Sequence, residues 1–363
     1  MQLIRGGQKP PRSSNLELYR IVCMLLIVAH HYVVNSGIME CTYRDPMSAR
    51  SLFYFLFGMW GKTGINCFVM ITGYFMCKSR ITAQKFLKLL LEVLFYNIVI
   101  YAIFLVTGYC KISLVDLFHC LWPIGSVSTG FTSCFLLFYL TIPFLNILIQ
   151  NLDKRMHQLL LALSLGIYTI LGTAPFINVT FNYVTWFAVI YFIASYIRMY
   201  PEKWFDNNKV WGWATIASIA FAMASVVLYI WGSDRFGQHA VNCWKCFYFV
   251  SDSNKFFAVT TAVCSFMWFK NLKIKQSKFI NTIAASTFGV LLIHANSDTM
   301  RSWLWKDVLN VAGQYGEGWG PALLHAFGSV AAIFAICIAI DRLRIEFIEK
   351  PLLASKLFNG NNG

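Results

Sequence analysis

Long apolar runs separated by short polar stretches fill the chain from Asn15 to Pro351. Ten runs, at roughly 18–37, 55–77, 86–108, 131–150, 157–174, 183–200, 210–231, 255–270, 280–300 and 320–341, approach or reach the ~20 residues a helix needs to cross a hydrocarbon core of ~30 Å. The pattern predicts an all-α polytopic membrane protein with about ten transmembrane helices. No Pro- or Gly-rich linker divides it, and no repeat of 20–50 residues is evident. One transmembrane domain is expected over 15–351, between a short segment 1–14 and a tail 352–363. The first run leads straight into the multi-spanning pattern, so it is expected to be retained rather than cleaved.

The cations alternate with the runs. Twenty Lys and Arg fall in loops on one side, including Lys78, Arg80, Lys154, Arg198, Lys270 and Arg344, and nine fall on the other, including Lys62, Lys111 and Arg301. Positive-inside bias then places both termini in the cytoplasm and predicts a multi-pass protein of the plasma or inner membrane.

Composition agrees. Hydrophobic residues make up 58% and charged residues 13%, against about 25% charged in soluble domains. The net charge is +14, but its clusters sit between apolar runs, which fits membrane topology and argues against nucleic-acid binding. Most of the 11 Cys lie inside apolar runs as small packing residues. Cys243 and Cys246 have CxxC spacing without a second pair, so no metal site is expected; a disulfide there is left open.

Ionisable groups inside a bilayer are costly, which makes them leads to function. In the first run Arg20 and His31 are eleven residues apart, which returns to nearly the same helical face about 16 Å further on. Glu17 can pair with Arg20, and His30 points away by about a quarter turn. Two readings fit. Arg20 snorkels and the histidines bond neighbouring helices, or an imidazole poised near neutral pH moves a proton deep in the membrane. In the ninth run His294, Asp298 and Arg301 stand at i, i+4 and i+7, so on one helix Asp298 would orient His294 or pair with Arg301. The alternative is a polar rim. Lys78 and Arg80 suit phosphates or a plain positive-inside cluster. His119 and Trp122 suit an interfacial segment. Asn66 and Thr72–Tyr74 suit close helix approach. There is no P-loop, GxGxxG, HExxH or GxSxG.

Several stretches resemble the membrane-bound acyltransferase 3 family, in order and over nearly the full length. They are Arg20 with His31 after ten residues, Gly64–Tyr74 ending in Thr-Gly-Tyr, Phe138–Asn146 with its Pro-Phe-Leu-Asn, Ser286–His294, and Glu349-Lys350-Pro351. Thr72 replaces the usual Ser, Val290 and Leu291 replace an aromatic, and Lys78 replaces an Arg. The resemblance implies ten core helices and transfer of an acyl group, acetyl above all, from cytoplasmic acyl-CoA to a glycan or lipid-linked sugar. It implies that His31 is the catalytic histidine and that Arg20 helps to hold the donor. No permanently bound cofactor is expected, and acyl-CoA is a substrate. Lys78 and Arg80 would then hold its phosphates. Tyr74 or Asn66 would face the oxyanion, and transfer would be direct or through an acyl-histidine. The rival reading is a transporter or flippase of a glycan or lipid precursor without acyl-transfer chemistry.

Overall fold

The computed structural model describes residues 13–125, 130–235 and 243–354. Among them the chain is helical, with no strand. Hydrocarbon offers the backbone no hydrogen-bond partner, so each apolar run satisfies its own N–H and C=O groups by coiling. The principal helices are α1 (Ser14–Val34), α2 (Ala49–Gly58), α3 (Gly61–Met76), α4 (Ala83–Val106), α5 (Leu114–Leu121), α6 (Phe131–Asn151) and α7 (Lys154–Leu165). They continue with α8 (Tyr183–Met199), α9 (Asn208–Arg235), α10 (Phe256–Lys270), α11 (Lys278–Ala285), α12 (Thr287–His294), α13 (Asp298–Ser302) and α14 (Trp319–Arg344). The polar links supply the starts. Thr82, Ser113, Asp153, Asn182, Ser277 and Ser297 each accept a bond from a backbone N–H in the first turn of the helix that follows, which satisfies a donor the helix itself leaves free.

Each of the ten apolar runs carries a helix, but they are not ten equal spans. Five helices (α1, α4, α6, α9 and α14) are long and apolar enough to cross a membrane. A sixth counts if 278–294 and 298–316, which meet at a bend of 93°, form one span. Helices α8 and α10 are apolar but only 17 and 15 residues long. The second run is interrupted at Met59 and Trp60, between α2 and α3. The predicted segments 1–14 and 352–363 lie almost wholly outside the described residues, as does the Cys243 side chain.

Helix α1 is the hub. It packs on α2, α3, α10, α11, α12 and α14, and Tyr19, Cys23, Met24, Val28 and Tyr32 are almost wholly buried. A helix surrounded in this way has no single apolar stripe, which is why it reads as uniformly hydrophobic. Its approach to α3 is close enough to demand glycine. A Cβ at Gly61 would lie 2.3 Å from the His30 ring.

The ninth run does not stay on one axis. Asn296 turns its side chain back, donating to Leu292 O (3.1 Å) and to Asn97 Oδ1 (3.0 Å). Ser297 then caps a new helix by accepting from Met300 N at 3.1 Å. Side-chain competition for backbone groups on both sides of Ala295 ends one helix and starts the next. The expectation that His294, Asp298 and Arg301 share a face is therefore corrected. His294 closes α12, while Asp298 and Arg301 belong to α13 and ion-pair with each other.

At the other end of α12 lies a buried ionic cluster. Arg344 meets Asp341 (2.8 Å), Glu349 (2.9 Å) and Glu92 (3.0 Å), and Lys88 meets Glu349 at 2.6 Å. Tyr96 Oη donates to Asp341 Oδ1 at 2.8 Å. The Asp341 carboxyl lies on Gly289, where a Cβ would come within 2.4 Å of Cγ.

Candidate active site

His31 occupies the last turn of α1 and faces a cavity of about 580 Å³. The cavity gathers one set of helix ends: the end of α1, the start of α3 at Gly61 and Lys62, α5 through Asp116 and His119, the start of α6 and the start of α8 at Tyr183. The bend between α12 and α13 closes it, through Asn296, Asp298 and Arg301. Trp122, Phe131 and Tyr183 give it aromatic faces beside these polar groups. That mixture suits a sugar, which presents C–H faces and hydroxyls together. His119 and Trp122, expected as an interfacial segment, line this cavity.

A chain of hydrogen bonds sets the state of His31. His294 Nδ1 lies 2.6 Å from Val290 O, a carbonyl that can only accept, so Nδ1 carries the proton. His294 Nε2 is then the acceptor for His31 Nδ1, 2.9 Å away. His31 Nε2 keeps its lone pair and has no hydrogen-bond partner among the described residues. A neutral imidazole held in this tautomer is a base aimed at whatever enters the cavity. His30 does something else. Its Nδ1 donates to Gly58 O at 2.5 Å and its ring rests on Gly61, so it holds α1 against the break between α2 and α3.

Lys62 is the cavity residue that counting loop charges hides. Its Nζ donates to Tyr183 Oη and lies 3.7 Å from Asp252, while Tyr183 Oη donates to Asp252 at 3.1 Å. The ammonium is thereby fixed beside the histidines. Its position one residue past the helix-starting glycine was the available signal.

The remaining predicted residues lie elsewhere. Arg20 does not line this cavity. It pairs with Glu17 at 3.6 Å and lies 5.7 Å from the Phe68 ring, with Glu17 Oε2 and Arg20 Nε buried and lacking hydrogen bonds. Between Arg20 and His31 the space is taken by Ile27 against Gly64 and by Phe68 against Phe131, Phe135 and Phe288. Asn66 is fully buried and its amide is spent. It donates to Ser253 O (2.7 Å) and Ala258 O (3.3 Å) and accepts from Trp186 Nε1 (2.9 Å). Tyr74 Oη accepts from Arg198 at 2.9 Å, twelve residues or about 18 Å of helical rise from Lys62. Neither reaches an oxyanion at His31. Lys78 and Arg80 are exposed at the turn after α3, beyond its end at Met76, which is fourteen residues or about 21 Å of rise from Lys62.

The fold and site thus define an all-helical membrane protein with a paired histidine buried beside a polar cavity. The family model described as an acyltransferase domain matches residues 13–342. The chain belongs to the acyltransferase 3 family. No curated protein and no solved structure matches it significantly.

Proposed function

We propose that the protein is an integral membrane O-acyltransferase moving an acyl group, acetyl in the simplest case, from acyl-CoA to a hydroxyl of a cell-surface glycan or lipid-linked sugar. The observation that carries this reading is the relay from Val290 O through His294 to His31, which leaves one imidazole nitrogen basic at a cavity of mixed aromatic and polar character.

In this mechanism His31 Nε2 takes the proton of the acceptor hydroxyl as its oxygen attacks the thioester carbon. The tetrahedral intermediate carries its negative charge on the former carbonyl oxygen, near the cations Lys62 and Arg301. Its collapse breaks the C–S bond and forms the ester. The proton on His31 passes to the departing thiolate, which restores the neutral base. The side bearing Lys78 and Arg80 is the cytoplasmic one, with both termini there and the shorter helices completing ten crossings of the cell membrane. Lys78 and Arg80 hold the coenzyme A phosphates, and the pantetheine arm reaches the cavity past Arg20 and Phe68.

The test is transfer of labelled acetyl from acetyl-CoA to a soluble glycoside by the full chain in nanodiscs. The wild type transfers label. His31→Ala, folded to the same thermal midpoint, does not. Transfer at the wild-type rate by His31→Ala removes the mechanism. Mass spectrometry of surface glycans from cells with and without the gene then identifies the acceptor and the acyl chain.

A further inference from the structure

Asn35 is a donor without an acceptor. It caps the end of α1 one turn past His31, with its backbone N–H donating to His31 O at 3.1 Å. Four residues of helix return to nearly the same face about 6 Å further on, so the amide follows the imidazole away from Arg20. Its Nδ2 is buried and has no hydrogen-bond partner among the described residues. A buried donor left unpaired is costly. Asn66, by contrast, spends its amide on three protein partners.

Asn35 also stands between two spaces. With Val34 it lines both the polar cavity of His31 and a second chamber of about 300 Å³. The chamber lies where the chain turns away from α1. Gly37 takes a φ of 81°, a conformation open to glycine, and the short helix Ile38–Thr42 that follows supplies Met39 and Glu40 to the wall. Tyr43 and Phe247 bring aromatic faces, and Lys306 completes the lining. Glu40 and Lys306 are exposed, and neither is ion-paired among the described residues.

Ring faces beside polar groups again suit a sugar, and the volume is at the lower end of the roughly 300–1,000 Å³ of small-ligand pockets. A carboxylate accepts from hydroxyls and an ammonium donates to them. The donor substrate, coming past Arg20, arrives from the other end of α1 and leaves this chamber free.

We infer that the acceptor is a chain of at least two sugar residues. The residue that is acylated sits beside His31, its neighbour sits in the chamber with Glu40 and Lys306, and Asn35 Nδ2 donates to an oxygen at their junction. This rests on the acyl-transfer reading for the role of His31 and narrows the acceptor from a single sugar to an oligo- or polysaccharide. Asn35 is then a specificity-determining residue.

The experiment uses surface glycan from cells lacking the gene, cut by mild acid and sized into one- and two-residue fragments. Each is given to the full chain in nanodiscs with labelled acetyl-CoA. The wild type shows a kcat/KM for the two-residue fragment at least about tenfold above that for the single residue, the worth of roughly one hydrogen bond. Asn35→Leu, which removes the donor, and independently Glu40→Trp, which fills the chamber, bring that ratio down toward one. Leu228→Trp, on the exposed face of α9, keeps it. The proposal is overturned if the wild type treats the two fragments alike, if either Asn35→Leu or Glu40→Trp leaves the ratio at its wild-type value, or if Leu228→Trp lowers it as much. Retention of each fragment by the same variants, read by native mass spectrometry, keeps the two readings apart. Transfer without a length preference overturns the chamber alone. Preferential retention of the two-residue fragment, lost in Asn35→Leu and without transfer to any fragment, overturns the acyltransferase reading and leaves the chamber standing. Neither retention nor transfer overturns both.

Discussion

Two polar clusters flank α12, one at each end, and they obey opposite rules. At the Gly289 end, Arg344 and Lys88 face Glu92, Asp341 and Glu349, and every charge has an opposite partner within 3.0 Å. At the His294 end the two imidazoles are neutral in the assigned tautomers, with Lys62 and Arg301 standing on the same cavity as His31, and among the described residues no hydrogen bond reaches His31 Nε2. Burying charge requires compensation, so the first cluster is closed on itself and ties helices together. The second is held by backbone and imidazole on one side only, and its open valence faces a cavity. A basic nitrogen open to a cavity points to chemistry, whereas charges paired with one another point to architecture.

The contrast can be broken by substitution. The largest expected effect is at His31. His31→Ala lowers the rate of acyl transfer by roughly 10²–10⁴-fold with little change in thermal midpoint, measured with labelled acetyl-CoA in nanodiscs. Arg344→Ala does the reverse. It leaves Glu92 and Asp341 without a cation, at 11% side-chain exposure or less, while Glu349 keeps Lys88, and costs about 3–5 kcal/mol of stability, read as a lower midpoint and reduced yield in the membrane. If Arg344→Ala leaves the midpoint unchanged, the cluster is not the tie described. His294→Ala falls next, at roughly a hundredfold in turnover, because His31 loses the partner that fixes its tautomer and aim. His294→Gln, which can still accept from His31 Nδ1, recovers part of that loss. Equal loss in the two variants would mean that packing rather than hydrogen bonding is at work.

The smallest effect supplies a baseline from an exposed ion pair. Lys154 Nζ lies 2.6 Å from Glu202 Oε1, and this bond, followed by one from Trp204 Nε1, holds the Glu202 carboxyl below its ordinary range. A depressed carboxyl pKa contributes stability above the unfolded value of about 4.3 and loses it as pH falls through the folded one. Glu202→Gln should therefore lower the midpoint slightly at pH 7, and by less as pH falls below the unfolded value. A drop as large as that of Arg344→Ala would erase the distinction between exposed and buried pairs.

Much of the fold was legible because a bilayer makes hydrophobicity and helix nearly synonymous. The all-α class and the helix in every run follow from that, and the structure supports five or six full spans by length. What failed was spacing across a break. Treating 280–300 as one helix put His294, Asp298 and Arg301 on a common face, but Asn296 and Ser297 divert the backbone between them. Periodicity cannot register a competition between side chain and ladder. At the site, His31, His294 and Arg301 were legible as expensive polar residues, but the cavity shared by His31 and Arg301 and the bond from His31 to His294 were not, because they depend on which helices pack on α1. Asn66 and Tyr74 carried the right chemistry in the wrong environment, one spent in a cross-link and the other at the far end of α3. Lys62 was missed because counted loop charges carry no geometry.

The corner at Ala295–Ser297 has a further consequence. After the 93° turn the chain comes back against the helix before it, and the fully buried Trp305 ring stands edge-on to His294. The two segments therefore constrain each other, and a hybrid that takes 298–316 from a relative should keep the His294 orientation where that tryptophan is kept.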